Sequence, residues 1–273
     1  MPAPLMRAAV LTLLLVLVAA PAVIAASPRA GDGLPPCPAL RATALVNPAE
    51  LVSGECPGIR PGAAISTPAG GCTMAWILRD SAGDLYGATA GHCGNVGDRV
   101  AVAGQNVGTF VYSVNQPIGE DFGVFSIDAD RVGLVSPEMC AWGGATATWT
   151  GAGGAVAGVV RHFGFGIGTG TMPQTRARSG ALDYASATTF AFAGAVAPGD
   201  SGSPARLGSG EALGVITDLL APRVPGTGPL VPSDAVLLTQ LAMGTRLDHG
   251  LAAASTATGI SLSLVTGTPA NEP

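Results

Sequence analysis

The chain has 273 residues, and its 13 basic side chains, all of them arginines, are outnumbered by 18 acidic ones, which gives a formal net charge of -5 at pH 7. No cluster of basic residues is visible, so nucleic acid is not an expected partner. With 40 glycines, 22 prolines and 5% aromatic residues, the composition favours a loop-rich all-β protein, and the length suits one large β domain or two small ones.

The first 26 residues have the pattern of a secretory signal peptide. Arg7 precedes an apolar run over residues 8–20, Pro21 interrupts the run, and small residues follow at 22–26. An uncleaved membrane anchor is the alternative, because the run approaches the length that spans a bilayer. Pro21 and the small residues favour cleavage. We therefore expect an exported protein with no membrane attachment after cleavage, in a compartment where disulfides persist.

Short apolar segments separated by turn residues dominate the middle of the chain. Residues 27–68, rich in proline, glycine and alanine, predict an N-terminal arm or short pro-segment, with a plain linker as the alternative. Residues 73–88 predict a hairpin whose second strand leads to His92. Further short strands run to residue 220, with a looser crossing near 142–155. This spacing predicts barrels or a sandwich, and composition does not choose between them.

The C-terminal part has the best helix pattern. It begins at Pro232, where Ser233 or Asp234 can cap the N-terminus and apolar residues follow. Residues 247–265 fit a further helix or a final strand. We take 69–247 as the folded domain and 248–273 as a C-terminal extension whose tail from Thr266 is mobile.

Three local motifs carry the residue types of nucleophilic catalysis. Residues 89–93 read Thr-Ala-Gly-His-Cys, Asp121 opens an apolar strand, and residues 199–204 read Gly-Asp-Ser-Gly-Ser-Pro. A serine hydroxyl needs a base to take its proton, and the base needs an orienting carboxylate. Each motif alone has an ordinary alternative, namely a core or surface His92, a strand-end acid with Glu120 as rival, and a glycine turn at Ser201. The order His92, Asp121, Ser201 favours the catalytic interpretation.

Together these motifs resemble the chymotrypsin-like (trypsin-fold) serine endopeptidases, and among them the secreted bacterial branch that α-lytic protease typifies. The resemblance implies two packed six-stranded antiparallel β-barrels, with the site in the cleft between them. It implies that Ser201 attacks the peptide carbonyl, His92 moves the proton and Asp121 orients His92. The N–H groups of Gly199 and Ser201 would stabilise the oxyanion.

Five cysteines are present without a Cys-x-x-Cys zinc pattern. The resemblance implies that Cys72 and Cys93 form a disulfide that staples the histidine loop. Of the remaining three, Cys37 or Cys56 could pair with Cys140, and the sequence does not choose.

The aspartate before the nucleophile, Asp200, needs a partner if it is buried. The animal enzymes supply a freshly cut N-terminus, for which no activation site is visible here. The bacterial branch implies an arginine instead, and we expect Arg161 in this role. The alternative is that Arg161 is a solvated strand residue.

The expected substrate pocket departs from the trypsin pattern. Ala195 stands where trypsin-like enzymes carry an aspartate for basic side chains, and the substrate-pairing strand reads Thr217-Asp218-Leu219 where the family often has Ser-Trp-Gly. Leu219 in place of glycine would narrow the pocket mouth. We expect no strong preference for arginine or lysine at the cleaved residue, and a preference for small or apolar side chains.

The sequence thus predicts a secreted serine endopeptidase that acts on a protein or peptide substrate as a monomer, with no cofactor and no metal. The alternative is a secreted binding module on the same fold with weak or lost catalysis. The glycines at 164, 166, 168 and 170 are a weak match to a nucleotide loop, and we expect them to form a glycine-rich loop near the site.

Overall fold

The computed structural model describes residues 58–116, 119–151, 154–167, 176–220 and 241–269. The expected signal peptide, most of the expected arm and the helix pattern that begins at Pro232 lie outside the described residues. Within them, no helix is both long enough and apolar enough to cross a bilayer.

The first half of the chain forms an antiparallel sheet. Its strands are β1 (Ala64–Thr67), β2 (Gly70–Thr73), β3 (Ile77–Arg79), β4 (Leu85–Thr89), β5 (Arg99–Val102), β6 (Gln105–Val114) and β7 (Phe122–Ile127). A strand from the chain's other end, β16 (Ser263–Leu264), pairs with β3 and gives eight strands in the order β16-β3-β4-β7-β6-β5-β1-β2. Short 3₁₀ turns follow β4 at Gly91–Cys93 and β7 at Ala129–Leu134.

The second half forms a closed six-stranded barrel. Its members are β10 (Gly154–Phe163), β11 (Ala177–Ala185), β12 (Thr189–Ala193), β13 (Pro204–Leu207), β14 (Ala212–Leu220) and β15 (Leu241–Arg246), in the order β10-β11-β12-β15-β14-β13. Two short strands, β8 (Glu138–Met139) and β9 (Gly143–Gly144), pair in the crossing between the halves. The all-β class is confirmed, as is the six-stranded second barrel. The other sheet has eight strands, seven from the first half of the chain together with β16.

Each half surrounds its own apolar core. Trp76, Phe110, Phe122 and Phe125 are fully buried in the first, and Phe190, Phe192, Leu213 and Ile216 in the second. The halves are also joined by a buried hydrogen bond, because the indole N–H of Trp76 donates to the carbonyl of Gly214 at 2.9 Å. This bond holds the edge of β3 against β14.

A single helix in the described part of the chain, α1 (Leu247–Thr258), follows β15 directly. Its buried face is Leu247, Gly250, Leu251 and Ala254, the spacing of one helical stripe. A Cβ at Gly250 would meet the ring of Phe122 at 2.6 Å, so the small residue lets the helix lie against the start of β7. The helix ends at Gly259, whose φ of 72° is the left-handed geometry that glycine adopts without strain.

Described residues on both sides of 69–247 take part in the packed structure. Strand β1 begins at Ala64, inside the segment expected as an arm. The expected C-terminal extension contributes α1 and β16, and the N–H of Gly144 donates to the carbonyl of Thr268 at 2.7 Å. Residues 266–269 are therefore part of the packed structure and not a mobile tail.

Candidate active site

His92 lies on the 3₁₀ turn that follows β4. The hydroxyl of Ser113 donates to the carbonyls of Gly91 at 2.8 Å and Gly94 at 2.6 Å, which fixes both ends of the turn. A Cβ at Gly91 would overlap the carbonyl of Val114, so the turn can approach β6 only with glycine there. The expected disulfide between Cys72 and Cys93 is confirmed and joins the turn to β2.

Asp121 lies beside this turn because β4 and β7 are antiparallel neighbours, with Thr89 opposite Gly123. The end of β4 and the start of β7 therefore lie at the same edge of the sheet. Asp121 is 3% exposed. Its Oδ2 accepts from Nδ1 of His92 at 2.5 Å, and its Oδ1 accepts from the His92 backbone N–H at 3.0 Å. Since Nδ1 donates to the carboxylate, Nε2 of the neutral ring carries the lone pair of a base.

These contacts set the basicity of the imidazole. The hydrogen bond that His92 donates to Asp121 raises the pKa of His92 above its ordinary value, while partial burial opposes the rise. The charges of Asp121 and Asp218 increase the pKa further. Glu120, the rival acid, is exposed and lines a cavity of about 230 Å³ with Tyr112 and His249 on the side of α1.

Ser201 lies in a turn packed against the same strand ends. Its carbonyl accepts from the N–H of Thr73 at 2.8 Å, and it lies 3.9 Å from the sulfur of Cys93. Gly202 has a φ of 87°. A Cβ there would overlap the carbonyl of Thr73 and the hydroxyl of Thr89. The turn can therefore press against the residues just before His92 only with glycine at this position.

The same turn leaves two backbone donors available. Gly199 has a φ of 101°, and its carbonyl accepts from the hydroxyl of Thr73 at 2.9 Å. The N–H of Asp200 donates to Ala197. Within the part of the chain that the structure describes, the N–H groups of Gly199 and Ser201 donate to no acceptor. Two such donors on either side of Asp200 fit the expected oxyanion hole.

Asp200 is fully buried, and its partner is Arg178 instead of the expected Arg161. The two terminal guanidinium nitrogens of Arg178 donate to the two carboxylate oxygens, Nη1 to Oδ2 at 2.7 Å and Nη2 to Oδ1 at 2.6 Å. The backbone N–H groups of Gly166 and Ala197 donate to Asp200 as well, at 2.8 and 2.9 Å. Burial alone would raise the pKa of Asp200, but the hydrogen bonds and charge of Arg178 hold it below its ordinary value.

Strand alternation explains why Arg161 does not take this place. His162 lies opposite Arg178 in the pairing of β10 with β11, so both side chains face the Asp200 side of the sheet. Arg161 is one residue earlier and faces the other side. Its guanidinium carbon lies 5.0 Å from the centre of the Trp142 ring.

A buried polar layer lies beneath the Ser201 turn. His162 is fully buried, and burial lowers its pKa to about 3, with the charge of Arg178 adding to the decrease and that of Asp200 opposing it. Its two ring nitrogens and the hydroxyl of Ser203 have no hydrogen-bond partner among the described residues. A Cβ at Gly164 would overlap Asp200 and Ser203. The expectation that this glycine-rich loop lies near the site therefore holds for Gly164 and Gly166; positions 168 and 170 lie outside the described residues.

The expected substrate strand, within β14, runs past the Ser201 turn. Gly202 donates to the carbonyl of Ile216 at 2.7 Å, and the pairing of β13 with β14 stops at Val215. From Thr217 onward, β14 pairs only with β15 among the described strands. No described strand pairs with its other edge along this stretch.

The expected pocket residues take different environments around this edge. Thr217 is buried, Asp218 is half-buried, and Leu219 packs against the second core. The carbonyl of Ala195, an expected pocket residue, accepts a hydrogen bond at 2.9 Å from Arg178, the arginine that pairs with Asp200.

Among the described residues, one cluster combines metal-ligating residue types, namely Cys72, His92 and Cys93. Its sulfurs form the disulfide, so they are not available as thiolate ligands. Cys140 is also disulfide-bonded, and its partner lies outside the described residues.

Solved structures share this arrangement of strands. Protease A of Thermobifida fusca matches with a TM-score of 0.53 and 21% identity, covering 77% of this chain and 99% of that one. The Nocardiopsis protease NAPase matches with a TM-score of 0.52 and 18% identity, covering 76% and 98%. The fold is that of the bacterial chymotrypsin-like serine proteases. No protein-family model matches the chain, and no curated protein matches it by sequence.

Sequence reasoning missed two residues of this candidate site. Arg178 has no local motif, and only the register of β10 against β11 identifies it. Thr73 donates from both its N–H and its hydroxyl to the Ser201 turn. Its position next to Cys72, the disulfide partner of Cys93, was the one available signal.

Proposed function

We propose that the chain is a secreted serine endopeptidase that hydrolyses peptide bonds through an acyl-enzyme on Ser201. The observation that carries the proposal is the pair of hydrogen bonds between His92 and Asp121, next to a serine turn with two unused N–H donors. A protein that used this fold only for binding would need neither feature. The two disulfide-bonded sites at Cys93 and Cys140 support an oxidising compartment.

The chemistry needs no group beyond the chain, the substrate and water. Ser201 Oγ forms a bond to the peptide carbonyl carbon while its proton passes to Nε2 of His92. Asp121 stabilises the imidazolium, and the N–H groups of Gly199 and Ser201 stabilise the oxyanion. The C–N bond then breaks as His92 returns the proton to the leaving amine. Water attacks the ester, again with His92 as base, and releases the acid.

The groove supports a preference for small or apolar residues at the cleaved position, P1. Ala195 supplies no charge for a basic side chain, and Leu219 packs against the core of the second barrel where a glycine would leave space. An extended peptide can add to the open edge of β14, as in other strand-addition complexes.

The test is hydrolysis of a quenched peptide library by the unmutated chain and by Ser201→Ala and His92→Ala. We expect each variant to lose about 10⁴-fold or more in kcat/KM. His249→Ala is the matched control, because His249 lies on α1 away from the catalytic turn. Turnover that survives in Ser201→Ala would contradict the proposal, and so would the absence of turnover in the correctly folded unmutated chain.

A further inference from the structure

Asp218 occupies an unusual position on the open edge of β14. The pairing with β15 shifts register between Ile216, opposite Gly244, and Asp218, opposite Met243. Thr217 is thus the extra residue of a bulge, a feature that re-aims neighbouring side chains. Its hydroxyl donates to Oδ2 of Asp218 at 2.7 Å. The carboxylate is therefore oriented by its neighbour while it stays half-exposed.

This carboxylate has no cationic partner among the described residues. No arginine or histidine forms an ion pair with Asp218 in the described ranges, whereas Asp200 and Asp248 each have an arginine partner. Leu219 lies opposite the core residue Ala242, whereas Asp218 lies opposite Met243, so Asp218 faces away from the core of the second barrel. Its charge also contributes to the raised pKa of His92. Two acidic side chains, Asp121 and Asp218, therefore act on the single imidazole of His92.

The geometry of strand addition determines which side chain of the substrate lies next to the Asp218 carboxylate. Successive side chains of an extended peptide point to opposite sides. The P1 side chain faces the pocket lined by Ala195 and Leu219. The side chain of the preceding residue, P2, then faces the other side of the strand, where His92 and Asp218 lie.

We propose that Asp218 forms an acidic P2 subsite, so that the preferred substrates are peptides with arginine or lysine immediately before a small or apolar P1 residue. The expected effect on cleavage rests on the proposed endopeptidase function, whereas the expected effect on peptide binding does not. Arginine suits the site because its planar guanidinium can bind both a carboxylate oxygen and a neighbouring carbonyl. Oδ2 of Asp218 already accepts a hydrogen bond from Thr217, which leaves Oδ1 to accept from the substrate's arginine or lysine.

The first experiment compares three quenched peptides that differ only at P2, with arginine, glutamine or glutamate. For a half-exposed ion pair we expect kcat/KM to be about three- to fivefold higher with arginine than with glutamine, and lowest with glutamate. Asp218→Asn keeps an acceptor for Thr217 and should bring the arginine-to-glutamine ratio to about one. Added salt should reduce the ratio in the unmutated chain.

Glu120→Gln is the matched control, because it removes one nearby negative charge that faces the α1 cavity instead of β14. It should leave the ratio unchanged. A ratio near one in the unmutated chain, or a ratio that survives in Asp218→Asn, overturns the acidic subsite.

The second experiment needs no turnover. The same peptides, labelled with a fluorophore, are titrated with the full chain carrying Ser201→Ala, with and without Asp218→Asn. We expect the arginine peptide to bind about three- to fivefold more tightly than the glutamine peptide, and only when Asp218 is present. Equal Kd values overturn the subsite. A retained arginine preference in binding, together with no cleavage by the unmutated chain, would overturn the proposed function alone.

Discussion

Replacing Arg178 with methionine would leave Asp200 as a buried carboxylate without its cation. Asp200 is fully buried, and the Arg178 side chain is 9% exposed, so solvent can do little to replace the lost charge. Breaking a buried pair by removing one partner costs about 3–5 kcal/mol. The backbone donors of Gly166 and Ala197 remain. We therefore expect Arg178→Met to lower the free energy of unfolding by about 4 kcal/mol.

Arg161→Met is the control that separates the two candidate arginines. The contact of Arg161 with Trp142 is a cation–π contact, for which about 0.5–1 kcal/mol is typical. Both variants would be measured by urea unfolding at pH 7, followed by tryptophan fluorescence, in a Ser201→Ala background that prevents autolysis. A loss below about 1 kcal/mol in Arg178→Met, or an equal loss in Arg161→Met, would refute the assignment.

A second substitution tests the physical reason for the loss. Asp200→Asn added to Arg178→Met removes the unpaired charge and should recover part of the lost stability. The penalty of Arg178→Met alone should also shrink toward acid pH, because the unpaired carboxylate can then take up a proton. A double variant no more stable than the single one would show that the cost does not come from the buried charge.

Three further predictions concern the surroundings of the site. His162 has a pKa of about 3 in the folded chain against 6.5 ordinarily, so the unfolded state binds a proton that the folded state does not. Stability should therefore fall by about 3 kcal/mol between pH 6.5 and pH 4. Urea titrations should find this loss in the unmutated chain and not in His162→Phe; equal slopes would contradict it. Gly202→Ala should lower the free energy of unfolding by about 2 kcal/mol or more and abolish turnover. Gly104 also has a positive φ, of 75°, but open space around it, so Gly104→Ala should lower the free energy of unfolding by about 1–2 kcal/mol and leave turnover intact. Serine at both Cys72 and Cys93 opens a link across 21 residues and should cost about 3 kcal/mol; thermal unfolding unchanged by this replacement would contradict the role of the disulfide as a staple.

The sequence was most informative where the candidate catalytic residues belong to short local motifs. His92, Asp121 and Ser201 each belong to a short motif, and the structure brings these motifs to one strand edge. The Cys72–Cys93 pairing was implied by the resemblance to the chymotrypsin-like enzymes, which these same motifs carry, and the structure confirms it. Each of these motifs can be identified without knowing which strands pair, because its residues are neighbours in the chain.

The partner of Asp200 could not be predicted in this way. Arg161 and Arg178 both lie on strands of the second barrel, and only the register of β10 against β11 decides which one faces Asp200. The partner of β16 was not predictable for a related reason, although residues 247–265 were expected to form a further helix or a final strand and the structure has both. Strand β16 has two residues and pairs with β3, with Ser263 opposite Arg79, so no local pattern identifies its partner.

The most direct measurement of the central claim is reaction of the folded chain with a fluorophosphonate, followed by peptide mass spectrometry. The hydrogen-bonded pair of His92 and Asp121 should make the hydroxyl of Ser201 far more nucleophilic than that of any other serine. We predict a single adduct on Ser201 that is lost in His92→Ala. An unlabelled folded protein, or an adduct on a different serine, would contradict the account.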